Sequence, residues 1–343
     1  MNRRQFTHLG AAALAALPLS CTAMKIPAYR PATDGLVGHG DFRYKVHHDW
    51  QQRRDLPVKD CHEMVQVPDG RLFLLTNHTA NNVVIYDRSG KVLDTWGDRY
   101  PGAHGLSLAM EGETPFLWIT DEKRHQVYKC TLDGRELLTL DWPKESGYYT
   151  SAEEYKPTET TMAPDGSIYV ADGYGKCYVH RYSAAGEYIE SFGGKGDGPA
   201  LFDCNHGVTL DTRTPEPTLL VTSRTKQEFK RFTLDGRHLE TYPTPGMWIC
   251  RPVIKGDHTY FAVIVTDTWY SYDGFVAIFD KNMQLVSAPG ASAPTYADGK
   301  LTTPKSDELT FMNPHDVCVD ADENLYVPQW YSGRTYPVML ERV

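Results

Sequence analysis

The chain has 343 residues, of which 41% are hydrophobic, and its formal net charge is -9. The hydrophobic share is enough for a sizeable core, and the acidic balance argues against nucleic acid as a partner. Length alone would allow two domains, but a 12% aromatic share and evenly spread Gly and Pro are typical of many short strands in one closed all-β fold.

Residues 1–23 have the pattern of an export signal. Two arginines at positions 3–4 precede an apolar run over residues 9–19, which is too short to span a membrane as a stable helix. The arginine pair and the phenylalanine after it resemble a twin-arginine signal, which exports folded proteins. Cys21 could carry a lipid, although Pro18 stands where an aliphatic residue is usual, and cleavage without lipidation is the alternative. We therefore expect a bacterial protein that is periplasmic or anchored to the membrane through Cys21.

From residue 41 onward the chain repeats a pattern of short alternating strands. The repeats start at residues 62, 104, 158, 206, 252 and 315, and Asp-Gly turns such as the one at 165–166 favour tight hairpins between their strands. This period is typical of propeller blades of four strands. We predict an all-β, six-bladed β-propeller over residues 41–343, preceded by a linker over residues 24–40.

The last blade is predicted to be closed by a strand from the N-terminal side. The final repeat has only three strands, and a spare strand lies at residues 42–46. Closure of the ring would remove the two exposed sheet edges of an open array. A pair of β-sandwiches is the alternative, but it does not explain the period.

Three histidines stand in register, each just before a strand. They are His104, His206 and His315. Residues in register in a closed ring of blades converge on the axis, and three neutral imidazoles can hold zinc with a fourth position open to water or substrate. The alternative is three structural imidazoles. His62, which opens the first repeat, could face the same channel.

The remaining cysteines form no Cys-X-X-Cys motif, and several alternate with apolar residues inside strands. We interpret most of them as buried small hydrophobic residues, although an exported protein could close one disulfide. The six cysteines are Cys61, Cys130, Cys177, Cys204, Cys250 and Cys318.

The order and spacing of these repeats resemble those of NHL-repeat propellers. Within that group the chain resembles the lyase half of the peptide-amidating enzymes, peptidyl-α-hydroxyglycine α-amidating lyase, over roughly residues 62–330. The resemblance implies zinc on the three histidines that stand in register. It rests on stretches that include His104-Gly-Leu-Ser-Leu, Leu-Trp-Ile-Thr-Asp121, Ile-Tyr-Val-Ala-Asp172-Gly-Tyr174, Ser223-Arg224 and Pro314-His315-Asp316.

The resemblance also implies roles for four further residues. Tyr174 matches the catalytic base, which needs a nearby cation because an ordinary tyrosine has a pKa near ~10. Arg224 matches an arginine of the same pocket that could hold a substrate carboxylate or polarise Tyr174. Asp316 matches a calcium ligand, with the backbone carbonyl near Leu106 as a second ligand. The alternatives are a packed tyrosine, a surface ion pair and an aspartate that orients a zinc-bound histidine.

Two departures from the family concern the predicted substrate contacts. Asn77 stands where the family has an arginine, with His78 beside it, and Asn313 stands where the family has a methionine. We expect these three residues and His62 to contact substrate. Loss of the arginine removes a charge that would bind a carboxylate or stabilise an anionic transition state, so either the substrate differs or the activity is gone. His78 or Arg224 could substitute for it.

The resemblance implies a zinc lyase that acts on a small molecule or a peptide, and we expect it to be exported and monomeric. It would cleave an α-hydroxyglycine amide, or a related hemiaminal, to an amide and an aldehyde such as glyoxylate. One alternative is a non-catalytic propeller that binds a peptide, sugar or protein through loops such as residues 266–273, with a structural metal. Another is a calcium-dependent lactonase-type hydrolase, against which the three histidines argue.

Overall fold

The computed structural model describes residues 35–306, 310–330 and 336–343. The predicted export signal and Cys21 lie outside the described residues. Over the described ranges the chain forms strands and three single turns of 3₁₀ helix, at Lys144–Ser146, Ala152–Glu154 and Arg224–Lys226. None of the helices described is long and apolar enough to cross a lipid bilayer.

The first three blades are four-stranded antiparallel sheets. Numbered in chain order after β1 (Leu36–His39) and β2 (Phe42–His47), their strands are β3 (Cys61–Gln66), β4 (Leu72–Thr76), β5 (Val83–Tyr86), β6 (Val92–Trp96), β7 (Ala103–Glu111), β8 (Thr114–Asp121), β9 (Gln126–Cys130), β10 (Glu136–Leu140), β11 (Glu159–Met162), β12 (Ile168–Ala171), β13 (Tyr178–Tyr182) and β14 (Tyr188–Gly193).

Blades four to six complete the propeller, and a short hairpin lies between the last two. Their strands are β15 (Val208–Asp211), β16 (Thr218–Ser223), β17 (Glu228–Thr233), β18 (His238–Pro243), β19 (Val253–Lys255), β20 (His258–Val263), β21 (Phe275–Phe279), β22 (Leu285–Ser287), the hairpin β23 (Tyr296–Ala297) and β24 (Lys300–Leu301), and then β25 (Cys318–Val319), β26 (Leu325–Val327) and β27 (Val338–Arg342).

The ring closes as predicted, because β2 pairs with β27 in the sixth blade and places Tyr44 opposite Arg342. The predicted six-bladed, all-β propeller is confirmed. The sixth sheet has the strand order β1-β2-β27-β26-β25 and so gains a fifth strand. Residues 36–39 therefore belong to a sheet rather than to the predicted linker.

Apolar clusters fill the spaces between neighbouring blades. In β4, Phe73 and Leu75 pack toward the second blade, whereas Leu72 and Leu74 pack toward the sixth. The second strand of a blade is thus covered on both faces, which explains the unbroken apolar run Leu-Phe-Leu-Leu in the sequence. Full burial of one such side chain contributes about 1.5–3 kcal/mol.

Glycines in the outer hairpins let neighbouring blades approach each other. Gly236 has φ +80° between β17 and β18, and a Cβ added to it would lie 2.4 Å from the Phe192 ring of the preceding blade. A side chain there would be strained and would also separate two blades. The packing between blades is what fixes the inner strands around the axis.

Candidate metal centre

The N-terminal ends of the six inner strands present two successive rings of residues at the axis. The first ring consists of His62, His104, Thr158, His206, Cys250 and His315. The second ring consists of the residues that follow them, Glu63, Gly105, Glu159, Gly207, Arg251 and Asp316. In the fifth blade the equivalent position is therefore Cys250, two residues before the repeat start at 252 that the sequence suggested.

Four imidazoles of the first ring lie against one another and are at most 4% exposed. The ring centroids of His104 and His206 are 4.6 Å apart, and their Nε2 atoms are separated by 3.1 Å. The His315 ring lies 4.9 Å from His104 and from His206, and 4.8 Å from His62. The structure thus brings together the three histidines predicted to bind zinc and adds His62 as a fourth.

Backbone carbonyls orient two of these rings. His104 Nδ1 lies 2.9 Å from the carbonyl oxygen of Thr158, and His315 Nδ1 lies 3.1 Å from that of His62. Because a carbonyl only accepts, each Nδ1 carries the proton and leaves an Nε2 lone pair for another partner. Carbonyl contacts of this kind fix the tautomer of metal-binding histidines.

The donor set fits a metal ion. Two imidazole nitrogens on one tetrahedral zinc would lie about 3.4 Å apart, close to the 3.1 Å between His104 and His206. Among the described residues, two overlapping groups have ligand atoms within 4.8 Å of one another, namely His62, His104 and His315, and His206, Cys250 and His315. Burial lowers the pKa of all four histidines, to about 3 for His62, so the rings are neutral and available as ligands.

Cys250 is the site residue that sequence reasoning missed. Its thiol is buried beside His206 and His315, and Arg224 Nη2 approaches its sulfur to 3.0 Å. Burial raises the pKa of this thiol to about 11, and Arg224 opposes the shift. An alignment of the fifth repeat on Cys250-Arg251 rather than on the following proline would have found it.

Tyr174 and Arg224 lie at the same centre. The Tyr174 hydroxyl is 3.0 Å from His206 Nε2 and 3.1 Å from His104 Nε2, and Arg224 Nη1 approaches it to 3.4 Å. Although 41% of Tyr174 is exposed, its hydroxyl is enclosed by these groups. Burial raises its pKa above the usual value, and the Arg224 charge opposes that shift. In this pocket Tyr174 therefore carries its proton at neutral pH.

The loop after β12 holds Tyr174 in place through Asp172. The Asp172 carboxylate accepts hydrogen bonds from the backbone N–H groups of Lys156 and Lys176, at 2.7 and 2.6 Å, and from the Tyr149 hydroxyl at 2.6 Å. Burial raises the pKa of Asp172 to about 6. The loop also needs Gly173, because a Cβ there would lie 2.6 Å from the Thr158 hydroxyl oxygen.

The predicted substrate contacts fall in different places. Asn77 Nδ2 donates to Asp60 at 2.8 Å and lies 3.4 Å from His62 Nε2, so it borders the centre. Asn313 is buried with φ +48°, and its Oδ1 has no hydrogen-bond partner among the described residues. His78 Nδ1 accepts from the backbone of Ala80 and folds over its own loop. No ring contact in the part of the chain that the structure describes joins His78 to the four histidines.

The predicted calcium ligands hold a side chain instead. Both oxygens of Asp316 and the carbonyl oxygen of Leu106 bind the guanidinium of Arg251, each over 2.8 Å. Calcium needs six to eight oxygen ligands at about 2.3–2.6 Å, and here a cationic side chain lies among those oxygens. Calcium at this position stays a prediction, and the Arg251 guanidinium already lies among its predicted ligands.

Comparison with known proteins gives distant relatives. No protein-family model matches the chain. It is 27% identical over 269 residues to peptidyl-alpha-hydroxyglycine alpha-amidating lyase 1 of Drosophila melanogaster. This match covers 70% of this chain and 45% of that protein. It is also 26% identical over 137 residues to human NHL repeat-containing protein 3. That match covers 38% of this chain and 40% of the human protein. These matches span less than half of either relative.

A solved structure of streptogramin B lyase has a TM-score of 0.55 at 13% identity and covers 84% of this chain and 95% of that one. At that identity the likeness shows the fold alone. The resemblance stated from the sequence is confirmed: the chain is a six-bladed β-propeller similar to peptidyl-α-hydroxyglycine α-amidating lyases and to NHL repeat proteins.

Proposed function

We propose that the chain is a zinc-dependent lyase that cleaves a hemiaminal, such as an α-hydroxyglycine amide, to an amide and glyoxylate. One observation carries the proposal. The Tyr174 hydroxyl lies within 3.1 Å of the Nε2 atoms of both His104 and His206 and faces Arg224. A proton-transfer group thus adjoins two metal-type ligands and a fixed positive charge, which is the arrangement that C–N cleavage of a hemiaminal needs.

His104, His206 and His315 would hold the metal, with His62 and Cys250 beside them. When bound, zinc would supply a Lewis acid that favours loss of the proton from the substrate hydroxyl. The Tyr174 hydroxyl is in reach of that position. The set contains only nitrogen and sulfur donors, which suit zinc better than a hard cation.

The reaction moves one proton and breaks one bond. Because the Tyr174 phenol is protonated, it donates its own proton to the amide nitrogen, which receives the electron pair of the breaking C–N bond. In the same step the phenol oxygen takes the proton of the substrate hydroxyl, and a C=O double bond forms. The pocket raises the pKa of Tyr174, so the phenol returns to its protonated form and is ready for the next turnover.

Arg224 would bind the carboxylate of the substrate, since it is the cation that lies beside Tyr174. Its Nε and Nη2 are held by Ile249 O and Cys250 Sγ, at 3.1 and 3.0 Å, which leaves Nη1 directed at the reacting position. The amide Oδ1 of Asn313 is a buried acceptor without a partner among the described residues, and it would accept from the substrate N–H. Asn77 would act through His62 rather than as a charge.

The test is turnover of a peptide that ends in α-hydroxyglycine, with zinc present and with no oxidant. Glyoxylate and peptide amide should form in equal amounts. Tyr174→Phe should lower kcat by roughly 10²–10⁴ while zinc content stays unchanged. The matched control is Tyr178→Phe, because Tyr178 stacks on Tyr148 and makes none of the contacts of Tyr174. Equal rates for the two variants would contradict the proposal.

An aromatic group favours a second candidate, a propeller that binds a ligand without turnover. In the loop over residues 266–273, Trp269 and Tyr270 are 37% and 39% exposed. The Trp269 ring lies 5.8 Å from Trp248 and 6.1 Å from Trp330. Such a surface suits a peptide or a sugar. Binding of an uncleaved peptide that is lost in Trp269→Ala, with no glyoxylate from any hydroxyglycine substrate, would favour this candidate.

We also propose that the protein is exported through its twin-arginine segment. The support is the sequence of residues 1–23 alone, with Cys21 as the candidate for lipidation. Cell fractionation tests it, because lysines at positions 3 and 4 should keep the protein in the cytoplasm. Cys21→Ser should then decide between a soluble and a membrane-anchored exported form.

A further inference from the structure

A single buried guanidinium lies at the centre of the second ring. Arg251 is 8% exposed, and its five N–H groups have six oxygen neighbours within 3.5 Å. Nε and Nη2 each donate to one oxygen of Asp316 over 2.8 Å. Nη1 donates to Leu106 O at 2.8 Å, and Nη2 donates to Met64 O at 3.2 Å. Oε2 of Glu63 lies 3.2 Å from Nη1.

The atoms around this guanidinium form a ligand set for a hard cation. They are carboxylate and backbone carbonyl oxygens, the groups that Ca²⁺ binds in proteins. Glu159 adds a third carboxylate, 3.5 Å from Nη1, and all three acidic residues are 1% exposed. Buried carboxylates without a cation would be strongly unfavourable. The guanidinium of Arg251 supplies the compensating positive charge as part of the chain.

The contacts of Arg251 connect inner strands that are far apart in sequence. Arg251 precedes β19, Asp316 precedes β25, and the remaining partners lie in β3, β7 and β11. The fourth blade contacts the same residue through Gly207, where an added Cβ would lie 2.3 Å from the Arg251 Cα. The guanidinium of Arg251 thus binds residues of four other blades, and the fourth blade lies against the backbone of Arg251.

We propose that the Arg251 guanidinium is a built-in cation that joins the inner strands in place of a bound divalent ion, so that this propeller folds without calcium. The carboxylate and carbonyl oxygens around Arg251 are ligands of the kind that bind a divalent cation. Removal of the guanidinium therefore converts the second ring into a calcium site. This inference does not depend on the proposed lyase activity, because it concerns a different ring of residues.

The first test is a calcium titration of the wild-type protein with zinc held in excess. We expect no heat of binding in calorimetry, no change in Tm at millimolar calcium, and no calcium retained after dialysis. Binding of one calcium ion per chain, or a calcium-dependent rise in Tm, would overturn the proposal. This measurement decides the question even where a variant does not fold.

The second test removes the cation. Arg251→Ala should lose thermal stability in calcium-free buffer and regain it when calcium is added, with one ion bound per chain. A variant that folds only with calcium present gives the same support. A folded Arg251→Ala protein that binds no calcium would overturn the proposal.

The matched control for that variant is Arg213→Ala. This variant also removes an arginine that pairs with a buried carboxylate, that of Asp211. Asp211 still has a second ion-pair partner, because Arg231 Nη1 lies 2.9 Å from its Oδ2. We expect a lower Tm in this variant and no response to calcium. A calcium response equal to that of Arg251→Ala would show a general effect of lost charge and would overturn the proposal.

Discussion

Zinc should stabilise the metal-free protein, because its ligands come from separate blades. His62, His104, His206 and His315 belong to the first, second, fourth and sixth blades, so the unfolded chain does not hold them together. An ion that binds only the folded state raises the free energy of unfolding by RT ln(1 + [L]/Kd). At a free zinc concentration of 100 Kd this is about 2.7 kcal/mol.

That free energy corresponds to a measurable change in Tm. The unfolding entropy of globular proteins is about 2.1 cal/mol/K per residue, or about 0.6 kcal/mol/K for about 300 residues. Zinc at 100 Kd should therefore raise Tm by about 4 °C in differential scanning calorimetry.

Substitutions should distinguish the histidines that bind zinc from residues that only lie beside them. The triple variant His104→Ala, His206→Ala, His315→Ala should lose the zinc-dependent shift. His62→Ala should keep most of it, because His62 Nε2 lies 3.4 Å from the Asn77 amide nitrogen rather than between Tyr174 and a second imidazole. No shift in the wild type with zinc, cobalt or manganese, or an equal shift in the triple variant, would refute the metal centre.

Two further predictions concern residues around this centre. The pKa of Asp172 is raised to about 6, above about 4 in an unfolded chain, so its contribution to stability is full below about pH 4 and is lost as pH rises through about 6. Asp172→Asn should change the pH 4 to pH 7 difference in unfolding free energy by about 2 kcal/mol in urea titrations, and an unchanged pH dependence would count against this account. The cobalt-substituted protein should show a thiolate-to-cobalt absorption band that Cys250→Ser lacks, because the Cys250 thiol lies among the metal-type ligands; identical spectra would exclude Cys250 as a ligand.

The sequence predicted those residues of the metal centre whose positions follow from their register in the repeat alone. His104 lies at the start of an inner strand, His206 and His315 lie just before one, and closure of the ring brings residues in that register to one point. Tyr174 was placed by resemblance, and the structure brings its hydroxyl between two of these histidines. His78 follows Asn77 directly, but it lies in the loop after β4, where its ring accepts a hydrogen bond from the Ala80 N–H.

Cys250 could not be found in the same way, because the fifth repeat has no histidine in register with the others and its proline shifts the apparent start by two residues. Arg251 was hidden for a different reason. Its charge partners stand at positions 63, 159 and 316, and a sequence pattern does not show which distant charges meet at an axis. The oxygen ligands were therefore recognisable from the sequence, whereas the cationic side chain among them was not.

The two rings at the axis differ in their electrostatic roles. The first ring offers neutral nitrogen and sulfur donors, which favour a borderline metal such as zinc. A hard cation bound in the second ring would lie only one residue from the metal ligands of the first ring. Its charge and its ligand geometry would compete with those of a metal in the first ring. A guanidinium has five donors and no lone pair, so it neutralises the buried carboxylates and cannot bind or displace a metal. With Arg251 holding those oxygens, the nitrogen ligands of the first ring are the ones left for a metal, which is why loss of zinc and loss of Arg251 should have separable effects.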